Sequence, residues 1–105
     1  MPKAPRDVFS AIDDPTRRKI LSLLADDDTP VGALAGHFAI SRPAVSRHLR
    51  ILREAGLVSE KRRGREHVYS LRAGPLQDVR LWITRFDRFW AVRLKNVKVR
   101  AAGTG

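Results

Sequence analysis

The chain has 105 residues, of which 43% are hydrophobic, and its 21 Lys and Arg against 11 Asp and Glu give a formal net charge of +10. That length supports one domain, and the apolar share fits a packed protein rather than a disordered basic tail. The absence of cysteine excludes disulfides, thiolate metal sites, iron–sulfur clusters and cysteine nucleophiles.

Met1 to Asp7 lacks the apolar run of a signal peptide and reads as a flexible arm over residues 1–7. Val8, Phe9 and Ile12 at helical spacing predict a short first helix. Asp14-Pro15 is a helix start, because Asp caps free amides and Pro suits the first helical position. Ile20, Leu21, Leu23 and Leu24 form that helix's apolar face, and Asp26-Asp27-Asp28 stops it by repelling the negative end of the helix dipole. The apolar run from Ile20 to Ala25 is the longest and far too short to span a bilayer, so the expectation is a cytoplasmic protein with no membrane partner. Thr29-Pro30 repeats the start signal. Val31, Leu34, Ala35 and Phe38 then mark one face of a helix of about two turns.

Ser41 caps the next helix, with Pro43 in its first turn; Val45, His48, Leu49 and Leu52 turn inward and Gly56 ends it in the left-handed conformation. Two strand-like segments, 58–62 and 66–71, flank Arg63-Gly64-Arg65 and predict a β-hairpin with a basic tip. Gly74-Pro75 precedes a last helix in which Val79, Trp82, Ile83, Phe86, Trp90, Leu94 and Val97 keep helical spacing for about five turns. Residues 99–105 read as a disordered tail, leaving 8–98 as the domain.

The positive charge is segmental. Residues 1–40 carry five Lys/Arg and six acids, 41–72 nine against three, and 73–105 seven against two. A basic surface concentrated in one stretch points to a polyanionic partner, with nucleic acid foremost. Two short helices joined by Ala39-Ile40-Ser41 form a helix-turn-helix, with Leu34, Phe38, Ile40, Val45 and Leu49 as its small core and Ala35 at the close crossing. The hairpin that follows makes it winged. The fold class is therefore mainly α with a small β-hairpin, in the order helix, helix, helix, helix, hairpin, helix.

Four motifs carry a family resemblance: Asp14-Pro15-Thr16-Arg17-Arg18, Ser41-Arg42-Pro43-Ala44-Val45-Ser46-Arg47-His48-Leu49, Leu52-Arg53-Glu54-Ala55-Gly56-Leu57-Val58, and Gly64-Arg65. Together they resemble the ArsR (arsenical resistance repressor-like) family over roughly residues 8–98. The resemblance implies a dimeric bacterial or archaeal transcriptional repressor that often controls its own operon, with the first and last helices forming a two-fold interface. Many members release DNA when a metal or metalloid binds.

The helix over 42–55 fits the major groove, with the hairpin over 58–71 on flanking DNA. Arg47 is the leading base reader, since its planar fork pairs with guanine O6 and N7. Ser46 reaches a base or a phosphate, Arg42 and Arg50 hold phosphates beside Pro43, and Ser41 divides between phosphate and helix cap. Lys61, Arg62, Arg63 and Arg65 suit a minor groove or flanking phosphates, or else a charged hairpin that resists aggregation. The predicted dimer surface comprises Val8, Phe9, Ile12, Trp82, Ile83, Phe86, Phe89, Trp90 and Leu94, an apolar stripe too long for one small core. The same aromatics leave room for a pocket for an unidentified small-molecule effector.

Neither metal-sensing pattern of the family transfers. Thiolate members need cysteines, and other members need Asp and His on the last helix, where this chain has Asp78 and Asp87 but no His. No metal residue and no cofactor are therefore assigned, and the chain looks like a branch without metal ligands. His37, His48 and His67 lack the i, i+4 metal spacing, and no nucleophile–base grouping suggests an enzyme. A sequence-independent nucleic-acid binder, architectural or RNA-directed, is the alternative on charge alone. An adaptor using the aromatic helix stands third.

Overall fold

A computed structural model describes residues 7–91. Residues 1–6 of the predicted arm, the tail over 99–105, and Leu94 and Val97 of the predicted last helix lie outside the described residues. In chain order the elements are α1 (Val8–Ala11), α2 (Pro15–Asp26), β1 (Thr29–Pro30), α3 (Val31–Ala35), α4 (Arg42–Glu54), β2 (Val58–Arg63), β3 (Glu66–Leu71) and α5 (Leu76–Thr84).

Local chemistry sets most of these ends. The carboxylate of Asp7 accepts from the Ser10 amide, that of Asp14 from the Arg17 amide, and the Ser41 hydroxyl oxygen from the Ala44 amide. Each satisfies an amide with no partner inside its helix. The end of α4 is a complete Schellman turn: the Gly56 amide donates to Arg53 O and the Leu57 amide to Leu52 O, both at 2.9 Å. Gly56 makes this possible with φ of 76°, and the turn drives Leu57 into the core beside Leu52, both fully buried.

The core gathers Val8, Ala11, Ile20, Leu21, Leu24, Leu34, Val45, Leu49, Leu52, Leu57, Val58 and Tyr69. It therefore joins α1, α2, α3, α4 and the root of the hairpin, and it fixes α4 with its opposite face outward. β2 and β3 pair antiparallel from Val58↔Leu71 to Arg63↔Glu66, closing on Gly64-Arg65. Gly64, at φ of 64°, supplies the positive φ that a two-residue turn with glycine first requires.

Four details depart from the sequence reading. Thr29-Pro30 is not only the approach to a helix: it pairs with Tyr69 and Val68, so the sheet has three strands in the order β1-β3-β2. Pro30 has no amide to offer and sits on an edge, as a sheet proline must. α3 is one short turn and a half rather than two, because the His37 and Phe38 amides tighten onto Leu34 O and Ala35 O. Phe38 still packs on the core, whereas Ile40 is 40% exposed and does not join it.

The last helix is also interrupted. α5 stops at Thr84, residues 85–86 form a turn, and residues 87–91 are helical again. The Thr84 hydroxyl donates to Leu81 O at 2.6 Å and takes the carbonyl that the Arg85 amide would use in an unbroken helix. The Arg85 and Phe86 amides bond instead three residues back, to Trp82 O and Ile83 O. Local competition by a Thr side chain is a known way to bend a helix.

Candidate nucleic-acid interface

The outer face of α4 is free of core contacts. Ser41, Arg42, Pro43, Ser46, Arg47 and Arg50 are all exposed, while Val45, Leu49 and Leu52 on the other side are fully buried. The Ser41 oxygen is spent on the cap of α4, which favours the capping half of its two sequence-level roles.

Pro43, Ser46, Arg47, Arg50 and Arg53 of α4 line a cleft of about 540 Å³ together with Glu60 and Tyr69 of the hairpin. The outer face of α4 and the hairpin thus share a hollow. A second hollow of about 270 Å³ brings Arg42, at the start of α4, to Arg65, Glu66 and His67 of the hairpin and to residues 30–33. Lys61, Arg62, Arg63 and Arg65 are exposed, and Arg62 Nε donates to Gly64 O at 3.2 Å, curling over the turn. Four exposed cations thus surround one tight turn.

Sequence reasoning missed what joins hairpin to helix. Glu60 lies opposite Tyr69 in the β2–β3 register. Its carboxylate accepts from Arg53 of α4 at 2.8 Å and from the Tyr69 hydroxyl at 2.9 Å, and lies 3.0 Å from His67 Nδ1. Burial first, then the hydrogen bond and charge of Glu60, push the Tyr69 hydroxyl up to about 12, against the opposing pull of Arg53. The signal was available: counting back from Gly64 places Glu60 across from Tyr69.

The histidines stay apart. His48 is half-buried with Nδ1 3.2 Å from a guanidinium nitrogen of Arg17, and His37 and His67 are exposed. Among the described residues, no three His, Asp or Glu side chains converge on a metal-sized site.

The predicted dimer surface splits. Val8 is buried in the chain's own core and Ile12 packs against that core. Phe9, Trp82, Ile83, Phe86, Phe89 and Trp90 remain 37–60% exposed. Their rings form a ladder: Phe9 meets Trp82 edge-on at 5.9 Å, Trp82 meets Phe86 at 5.3 Å, and Phe86 meets Phe89 at 6.3 Å. Not one residue of α5 is buried. Such a patch on one chain marks an interaction surface.

A helical core, a helix presented with arginines outward and a basic hairpin beside it define a winged helix-turn-helix DNA-binding protein. The chain belongs to the ArsR family of bacterial transcriptional regulators. The model of the bacterial regulatory protein, arsR family, matches residues 14–60. The chain is 49% identical over 80 residues to the transcriptional repressor SdpR of Bacillus subtilis, covering 76% of this chain and 89% of that one. It is 41% identical over 88 residues to the HTH-type transcriptional regulator Rv2034 of Mycobacterium tuberculosis, covering 84% and 79%. Among solved structures, a possible transcriptional regulator for arsenical resistance is 38% identical with a TM-score of 0.68, covering 90% of this chain and 95% of that one. An ArsR-like transcriptional regulator from Rhodococcus sp. RHA1 is 34% identical with a TM-score of 0.66, covering 90% of each.

Proposed function

We propose that this regulator is a homodimeric repressor or autorepressor, acting in the cytoplasm, that binds an imperfect palindrome. α4 enters the major groove, where Arg47 and Ser46 meet base edges while Arg42 and Arg50 hold phosphates. The hairpin tip, Lys61 to Arg65, follows the flanking minor groove. The exposed ladder of Phe9, Trp82, Phe86 and Phe89 with Ile83 and Trp90 meets its two-fold copy, setting two α4 helices one DNA turn, about 34 Å, apart.

The observation that supports this reading most directly is the shared cleft, which sets Ser46, Arg47 and Arg50 side by side on an exposed helix against the hairpin. SdpR, similar over most of its length, is named a transcriptional repressor, which supports repression over activation. The reading needs no cofactor. With no cysteine in the chain, any inducer would act without thiolate ligands.

Selection of duplexes from a random pool tests it. The expected result is enrichment of one inverted repeat, and Arg47→Ala then costs about 1–3 kcal/mol on that duplex and relaxes a single base position. Tight binding with no enriched sequence would instead identify a sequence-independent nucleic-acid binder.

A further inference from the structure

Two adjacent arginines of α2 grip the end of α1. Arg17 Nε donates to Ala11 O at 2.6 Å and another nitrogen of Arg17 reaches Ser10 O at 3.4 Å, while Arg18 donates to Ile12 O at 2.7 Å. These carbonyls lie at the negative end of α1, where a cation is favoured. The Arg17 side chain is only 13% exposed, and its third nitrogen lies 3.2 Å from His48 Nδ1 on α4 and 3.9 Å from the Asp14 carboxylate. A guanidinium can only donate, so Nδ1 of His48 is the acceptor. One planar side chain therefore spans three helices: the end of α1, the cap of α2 and the inward side of α4.

The position of this bridge matters more than its strength. His48 follows Arg47 directly and lies on the inward side of the helix whose outer face carries Ser46, Arg47 and Arg50. At the other end, α1 carries Phe9, whose ring packs on Trp82 of the exposed aromatic ladder. The geometry points to Arg17 as a positioning residue that, through His48, ties the orientation of α4 to the seating of α1. This rests on the DNA-reading role of α4 proposed above. Base readout then depends on a contact that touches neither DNA nor the second subunit, and subunit pairing is coupled to sequence choice through it.

The test compares affinity for two duplexes of about 30 base pairs, one selected by the wild-type protein from a random pool and one of random sequence. His48→Asn keeps an acceptor oxygen near the place of Nδ1, and His48→Leu removes it. Arg17→Lys keeps the charge but cannot fork to α1 and α4 together. His48→Leu and Arg17→Lys should each lose about tenfold on the selected duplex and less than about twofold on the random one. His48→Asn should stay within about threefold of wild type, and the double variant Arg17→Lys/His48→Leu should be no weaker than the weaker single one.

Equal losses on both duplexes, additive losses in the double variant, or failure of His48→Asn to restore affinity would overturn the proposal. Should His48→Leu not fold, Arg17→Lys on the two duplexes decides by the same criterion. A wild-type protein that selects no sequence overturns the DNA-reading role itself, an outcome visible before any variant is made.

Discussion

α4 and α5 are both amphipathic, and they use their apolar sides in opposite ways. α4 spends its stripe inside the chain: Val45, Leu49 and Leu52 are fully buried, and what remains outside is charge. No residue of α5 is fully buried: Leu76 and Val79 rest half-buried against the core, and Leu81, Trp82 and Ile83 stand about half exposed. Periodicity is the same signal in both cases. What separates them is whether the chain has enough other apolar surface to cover the stripe. A charged outer face is complete in one molecule, whereas an uncovered apolar face requires another surface.

The contrast can be broken from either side. The largest effect expected is on association: Trp82→Asp should weaken self-association by about 3 kcal/mol or more, read by sedimentation, with a much smaller change in the denaturation midpoint of the monomer. Leu49→Ala should do the reverse, costing about 3 kcal/mol of folding stability through an unfilled cavity, read by urea denaturation. If Trp82→Asp unfolded the chain and left association intact, the division between the two helices would fall.

Smaller effects sharpen the polar side. Tyr69→Phe removes a hydrogen bond to a charged acceptor and should cost about 1.5 kcal/mol at neutral pH. The sign of its pH dependence follows from a hydroxyl held above its unfolded value of 10.0, at about 12. Its stabilisation is complete below pH 10 and is lost as pH rises towards 12. The gap in melting temperature between wild type and Tyr69→Phe should therefore narrow across that interval. The smallest change expected is for Arg63→Ala, which should weaken all duplexes alike and flatten the salt dependence of binding by about one counterion.

Much of this molecule could be read in advance because its signals are local. Asp14-Pro15, Ser41 and Gly56 each act within four residues, and the structure places a cap or a turn at all three. β1 escaped because two residues have no periodicity, and their strand partner is about forty positions away in sequence. The interruption after Thr84 escaped because the aromatic spacing continues undisturbed through it while a single hydroxyl redirects one carbonyl. For the interface, exposure of the α4 arginines followed from the apolar period. The convergence on Glu60 required the hairpin register and the approach of Arg53 together.

β1 also decides how the hairpin behaves mechanically. Its two residues clamp β3 at Val68 and Tyr69, and Glu60 pins β2 to α4 at the same level. Below that level the ribbon is braced on both sides. Beyond it, residues 62–67 pair, among the described residues, only with each other. The wing is a cantilever with a built-in root and a free end carrying three of its four cations. The brace fixes the spacing between the root of the hairpin and α4 like the fixed jaw of a caliper, and the cations stand out beyond it.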